Sequence, residues 1–321
     1  MTTPTGSTGA HPTVAGRFTA DFPGERLVPV DRIDAMAALF DGLGHQRPAT
    51  CGAYVLAYLL PALGFPSLEG HDLAAEDFLA HLAGVVVEED EVEASDEVSR
   101  RVASGELTEA EARERFGRVW YRFPVRSSRD PIVSGASAAG VARAVERGSG
   151  GRLVPLPVAS RLDDGTVQLT ADRWDALLDI LAAHVGDWRW HAILNYETDR
   201  LLRPTDPAYT PLNLRAPEPE RLIPHDDWGV GHFVGIAGTW TMSTTGRRWL
   251  LLFDTYKCRG FDGYEPQPAE LMRLGLCRTD GRGGGMLVVV PVEVSERVAA
   301  ALHALGLELR LWDNGSPPPE E

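Results

Sequence analysis

The feature that most constrains the fold is an apolar helix that begins at a cysteine. A polar loop leads into Cys51, and residues 52–63, which follow, are predominantly apolar. This pattern predicts a helix over about 50–63, with Thr50 as its N-cap. The thiol of Cys51 therefore lies on the first helical turn, where unpaired N–H groups and the helix dipole favour a negative charge.

Apolar periodicity divides the chain into helices first and strands later. A proline-rich connector at 202–224 precedes the last third, which contains most of the strands. This order is typical of the α+β class, with helices packed on an antiparallel sheet. The predicted helices cover about 31–42, 50–63, 71–84, 134–145, 172–184, 266–274 and 295–305, with a surface helix from Thr108, and the predicted strands cover 119–123, 190–196, 231–238, 249–254, 286–290 and 307–312.

The chain is expected to form one domain over residues 21–312. Residues 1–20 and 313–321 lack periodic apolar residues, so we predict that both are disordered. Like charges at 88–93 and the proline-rich connector interrupt regular structure. We interpret them as the boundaries of a large helical insertion at about 85–224.

Charge and cysteine content narrow the classes of function. A net charge of −15 opposes binding to nucleic acid, because basic groups supply most of that affinity. No window has the roughly 18 consecutive apolar residues of a membrane span, and the N-terminus lacks a signal-peptide pattern, so we expect a cytoplasmic protein without a membrane partner. Cys51, Cys258 and Cys277 lack C-x-x-C spacing, which favours free thiols. We expect no cofactor and no metal, and we interpret Cys258 and Cys277 as packing residues.

Four side chains meet the requirements of thiol catalysis, which needs a thiolate, a base, a group that orients the base and oxyanion donors. Cys51 supplies the thiol and a first-turn N–H. His232 begins one predicted strand, and Asp254 ends the next, 22 residues later, a separation that a hairpin allows. Gln46, five residues before the cysteine, can supply a second donor through its amide. We therefore predict a catalytic site formed by these four residues.

The motifs around these residues resemble the papain-like cysteine peptidase superfamily, and most closely its bacteriocin-leader, or double-glycine, peptidases. The resemblance covers about 31–64 and 228–292. It implies a papain-like fold in which Cys51 is the nucleophile, His232 the base, Asp254 the orienting carboxylate and Gln46 the oxyanion donor. The matching motifs are, in order, Gln46, Thr50-Cys51-Gly52, Gly231-His232-Phe233-Val234-Gly235-Ile236 and Leu252-Phe253-Asp254-Thr255.

The implied reaction is hydrolysis of a peptide or amide bond through a thioester, with three alternatives. An amine in place of water would make the protein an acyltransferase or peptide ligase. Gln46 lies one residue closer to the cysteine than is usual in the family, which favours a non-catalytic papain-like module that binds a peptide or protein. A third possibility is a metal-assisted hydrolase that uses His225, Asp226 and His232.

Overall fold

The computed structural model describes residues 13–204, 206–215 and 229–320, and it belongs to the α+β class. Its α-helices are α1 Val14–Asp21, α2 Ile33–Gly42, α3 Cys51–Ala62, α4 Glu76–Ala83, α5 Glu89–Ala103, α6 Glu109–Phe116, α7 Ala138–Gly148, α8 Ala171–Ala183, α9 Val185–Trp188, α10 Pro211–Leu214, α11 Ala269–Leu276 and α12 Val292–Ala304. Its strands are β1 Val28–Pro29, β2 Ser67–Leu68, β3 His71–Asp72, β4 Val86–Glu88, β5 Arg126–Ser128, β6 Leu153–Ala159, β7 His191–Glu197, β8 Gly231–Thr241, β9 Arg248–Phe253, β10 Tyr264–Pro268 and β11 Gly285–Pro291.

A seven-stranded sheet forms the centre of the described structure. Its strand order is β10-β9-β8-β7-β11-β6, with β1 paired to β8. All the pairings described within this sheet are antiparallel. Every residue of β7 is buried, and so is every residue of β8 except its two ends. Burial on both faces explains why apolar residues in these strands come in runs and do not alternate strictly with polar ones.

Helix α3 packs directly on β8 because glycines allow a close approach. A Cβ atom on Gly52 would lie 2.8 Å from Val141 Cγ2 in α7 and 3.6 Å from Phe233 Cδ2 in β8. A Cβ on Gly235 would lie 2.3 Å from the hydroxyl oxygen of Tyr58. These contacts hold the beginning of α3 against the beginning of β8, and every residue of α3 except Pro61 is buried.

The segment 85–224 differs from the predicted helical insertion, because it supplies two strands of the central sheet. One is β7, the neighbour of β8, and the other is β6. The sequence did not indicate β6 because it contains Pro155 and Pro157. As an edge strand, β6 occupies the position where the missing N–H of proline is tolerated.

Two of the predicted strands, 119–123 and 307–312, are not formed as strands. Residues 119–123 have no strand conformation. Instead, the backbone N–H of Tyr121 donates to Ser95 Oγ at 2.8 Å. The predicted strand at 307–312 is reduced to a single bridge between Arg310 and Val158. Aromatic and apolar side chains are buried in both segments, so the apolar residues that predicted strands indicate burial there and not strand pairing.

The described parts of both predicted disordered ends pack on the domain. Residues 1–12 lie outside the described residues, but α1 buries Phe18, whose ring centroid lies 5.0 Å from that of Trp240. At the other end, Asn314 Nδ2 donates to the carbonyl of Ala136 at 2.9 Å, and Arg126 donates to that of Pro318 at 2.7 Å. A few anchoring contacts therefore order segments that lack apolar periodicity.

Among the helices that the structure describes, none combines the length and apolar character needed to cross a membrane.

Candidate active site

The ends of β8 and β9 bring His232 and Asp254 together. His232 is the second residue of β8, and Asp254 follows the last residue of β9, the neighbouring strand. His232 Nε2 lies 3.2 Å from Asp254 Oδ1, and the two residues are 2% and 0% exposed. A carboxylate at Nε2 orients the ring, so Nδ1 is the nitrogen that would exchange a proton with a thiol.

Neighbouring groups fix the orientation of both side chains. The ring of Tyr256 stacks on that of His232 with centroids 5.1 Å apart, and the ring of Tyr196 meets it edge-on at 5.8 Å. Asp254 Oδ1 also accepts a hydrogen bond from the backbone N–H of Tyr256 at 2.7 Å. Thr255 Oγ1 lies 3.4 Å from His232 Nε2. The imidazole is thus held on two sides by rings and at one nitrogen by Asp254.

Gln46, Cys51 and His232 line one cavity of about 600 Å³, whereas Asp254 lies behind the imidazole. Cys51 is 8% exposed, so its sulfur lies just below the protein surface. Burial is the main reason that the pKa of Tyr256 is raised to about 12, and the nearby carboxylate of Asp254 acts in the same direction. Tyr256 also lines this cavity, so its ring lies beside both His232 and the opening that Cys51 faces.

The beginning of α3 leaves its first N–H groups without a side-chain cap, contrary to the prediction for Thr50. The Thr50 hydroxyl donates to the carbonyl of Arg47 at 2.8 Å and also bonds Glu76. Two residues before the cysteine, Ala49 has a left-handed φ of 57°, which turns the chain sharply into the helix. The N–H of Cys51 has no intrahelical acceptor, so it can serve an oxyanion in the cavity.

Side chains distant in sequence hold the loop that precedes Cys51. Glu76, the first residue of α4, accepts from the backbone N–H of Arg47 at 2.9 Å as well as from Thr50. Tyr121 donates its hydroxyl to the carbonyl of Pro48 at 3.2 Å. Burial raises the pKa of Glu76 to about 7, against the hydrogen bonds from Thr50 and Arg47. These supporting side chains could not be predicted from the sequence, because no local motif marks them.

Gln46 carries unused hydrogen-bonding capacity into the cavity. It is 3% exposed, and its buried Oε1 has no hydrogen-bond partner among the described residues. Its backbone carbonyl accepts from Arg118 at 3.4 Å. Buried amide groups are nearly always satisfied, and an unsatisfied one costs about 1–3 kcal/mol. The unpaired atom is an acceptor, so it suits an N–H or O–H group of a ligand, whereas the predicted oxyanion role would use the Nε2 donor of the same amide.

The rest of the cavity combines charged and apolar groups. Glu88, Asp280 and Arg282 lie on its walls, and the exposed side chains of Ile132 and Val230 lie at its edge. This mixture suits a ligand with both polar backbone groups and apolar side chains.

Of the remaining candidate residues, Cys258 and Cys277 do not line this cavity. His225 and Asp226, which the metal alternative requires, lie outside the described residues. No group of three or more His, Cys, Asp or Glu residues suited to a metal occurs within 13–204, 206–215 and 229–320. Cys258 is exposed, unlike the packing residue that we expected, because it lies in a turn beyond β9, whereas Cys277 is buried as predicted.

Sequence comparison gives the chain a family without an activity. Residues 30–313 match the sequence model of a family of unknown function, DUF6885, and the chain belongs to that family. A comparison with curated proteins finds no match. The matched range includes all four residues of the candidate site.

Proposed function

We propose that the protein is a papain-like cysteine hydrolase that cleaves a peptide or amide bond through a thioester. One observation carries this proposal: Cys51, His232 and Gln46 line a single cavity, and Asp254 lies 3.2 Å from the imidazole of His232. The four residues come from two distant parts of the chain. The packing of α3 on β8 supports the papain-like interpretation, because the helix that begins at Cys51 lies against the strand that contains His232.

Each residue has one step in the proposed reaction. His232 Nδ1 takes the proton of the Cys51 thiol, and the sulfur attacks the substrate carbonyl carbon. The N–H of Cys51 and the amide of Gln46 donate to the resulting oxyanion. When the carbon–nitrogen bond breaks, the imidazolium gives its proton to the departing amine, which leaves a thioester on Cys51.

Water completes the cycle in the hydrolase. His232 takes a proton from the water as the oxygen attacks the thioester, and the proton then returns to the sulfur as the acid departs. Asp254 stabilises each imidazolium and keeps its carboxylate throughout. A reducing compartment, which we propose to be the cytoplasm, would preserve Cys51 as a thiol.

The burial of the site favours acyl transfer as a second candidate. Cys51 and His232 are only 8% and 2% exposed, so access of water to a thioester is restricted. An amine that fills the cavity would then compete well as the acceptor. Product analysis with and without an added amine distinguishes the candidates, because only acyl transfer forms a new amide.

Alkylation with iodoacetamide at about pH 6 tests the thiolate directly. An ordinary thiol of pKa near 8.5 is then about 0.3% ionised. We expect mass spectrometry to show selective labelling of Cys51, which His232→Ala abolishes. Exposed Cys258 is the internal control, since accessibility alone would label it first. Preferential labelling of Cys258 in the wild type would refute the proposal.

A further inference from the structure

A second buried carboxyl group, that of Glu265, lies next to Asp254. The backbone N–H of Asp254 donates to the carbonyl of Gly263 at 2.8 Å, and Glu265 follows two residues later in β10. The two residues are therefore diagonal neighbours on adjacent strands, and the long side chain of Glu265 can reach the carboxyl group of Asp254. Gly263 has no side chain to separate them. Both acidic residues are 0% exposed.

Hydrogen bonds account for only one oxygen of each carboxyl group. Asp254 Oδ1 lies at 3.2 Å from the imidazole of His232 and accepts from a backbone N–H, and Glu265 Oε1 accepts from Gln267 Nε2 at 2.8 Å. Asp254 Oδ2 and Glu265 Oε2 are buried without an N–H or O–H donor among the described residues. Arg259 Nε lies 3.8 Å from Asp254 Oδ2, beyond hydrogen-bond distance.

One proton between the two carboxyl groups satisfies both remaining oxygens. The pairing of β9 with β10 makes Asp254 and Glu265 diagonal neighbours, and a hydrogen bond with Asp254 is among the causes that raise the pKa of Glu265. As two carboxylates they would present two acceptors and two like charges in a buried site, an arrangement that carboxyl pairs avoid by sharing a proton. As an acid and a carboxylate they form a charge-assisted hydrogen bond.

The surroundings assign the proton to Glu265. Asp254 has an imidazole and a backbone N–H to stabilise its negative charge. Burial raises the pKa of Glu265 well above its usual range, and the negative charge of Asp254 raises it further, while Arg259 opposes both. Among the described residues, the phenols of Tyr196 and Tyr209 also face Glu265, and burial raises the pKa of both, so neither adds a negative charge at pH 7.

We propose that Glu265 is a positioning residue that acts as a neutral carboxylic acid and donates its proton to Asp254 Oδ2. This bond fixes the carboxylate so that Oδ1 points at His232. The inference rests on the proposed function for its effect on Cys51, whereas the protonation of Glu265 can be tested independently. Glutamine reproduces the acceptor and donor of a neutral acid, whereas methionine fills the space without either.

Infrared spectroscopy of the full-length protein at pH 7 tests the proton. The wild type is expected to show a carboxylic acid C=O component, in addition to that of partly protonated Glu76, that is lost in Glu265→Gln and kept in the exposed control Glu296→Gln. A wild-type spectrum identical to that of Glu265→Gln in this region would overturn the assignment. This measurement remains informative even if Cys51 proves unreactive, an outcome that would refute only the proposed function.

The pH profile of Cys51 alkylation tests the positioning role. We expect Glu265→Gln to react within about threefold of the wild type, and Glu265→Met to react about tenfold more slowly with a displaced profile, since one hydrogen bond to a charged group is lost. Circular dichroism establishes that each variant is folded. A wild-type profile in folded Glu265→Met, or a loss of reactivity in folded Glu265→Gln, would overturn the role. If Glu265→Met does not fold, the glutamine variant and the infrared band decide.

Discussion

His191, the first residue of β7, is a buried histidine that should make the stability of the fold depend on pH. It is 1% exposed, and neither ring nitrogen has a hydrogen-bond partner among the described residues. Burial lowers its pKa to about 3, and the positive charge of Arg32 contributes in the same direction. In the unfolded chain its pKa returns to about 6.5.

The difference between the two pKa values sets the size of the effect. Between pH 6.5 and pH 3 the unfolded state binds a proton that the folded state excludes, so stability falls as the pH falls. Each pH unit in this window is worth about 1.36 kcal/mol. At pH 5 the wild type should therefore lose about 2 kcal/mol of unfolding free energy relative to pH 7 from this residue alone.

Urea denaturation at pH 5 and pH 7 measures this effect. The loss between the two pH values should be about 2 kcal/mol smaller in His191→Leu than in the wild type, because leucine cannot be protonated. His71→Gln is the matched control, since His71 is exposed on β3 and should leave the pH dependence unchanged. The reasoning is refuted if His191→Leu and the wild type lose stability equally.

Three substitutions test other parts of the site and its support. Asp254→Asn should slow alkylation of the candidate nucleophile at least about tenfold, measured by mass spectrometry, because the imidazolium loses its partner; an unchanged rate would contradict its role. Glu76 has a folded pKa of about 7, so its ionisation above pH 7 destabilises the wild type, and glutamine removes this cost. The unfolding free energy of Glu76→Gln relative to the wild type should therefore be up to about 3 kcal/mol higher at pH 8 than at pH 5. An equal difference at both pH values would contradict this. Gly235→Ala should cost about 1–3 kcal/mol in urea unfolding through overpacking, whereas Gly42→Ala, with open space around it, should cost nothing; equal effects would contradict the packing argument.

Local patterns were sufficient to predict the elements that carry the candidate site. The apolar run after Cys51 predicted α3, which begins at Cys51 and ends at Ala62. The apolar runs near His232 and Asp254 predicted β8 and β9, which pair as expected. The helix before β11 and the α+β class were predictable for the same reason. Each of these depends on residues that are close in sequence.

Features that depend on distant partners could not be predicted in this way. Thr50 is a good N-cap by type, but its hydroxyl turns to Glu76, which is 26 residues away. Glu265 directly precedes a predicted helix at 266–274. That it neighbours Asp254 follows only from the pairing of β9 with β10. The role of β6 also depends on its edge position, which the sheet order decides.

The buried polar groups around His232 are an expensive way to stabilise a fold. Moving ionised groups such as Asp254 and Arg259 out of water costs several kcal/mol each, and replacing buried ion pairs by packed apolar residues is often neutral or stabilising by about 1–4 kcal/mol. Residues 192–194 of β7 and 249–253 of β9 are buried and apolar, so such a replacement would fit their composition. A chain under no requirement but folding would have little reason to keep a histidine, two carboxyl groups and a guanidinium together in this core. The proton transfer that we propose at the adjacent cavity would give that reason, since an imidazole needs a fixed, desolvated carboxylate to be a strong base for Cys51.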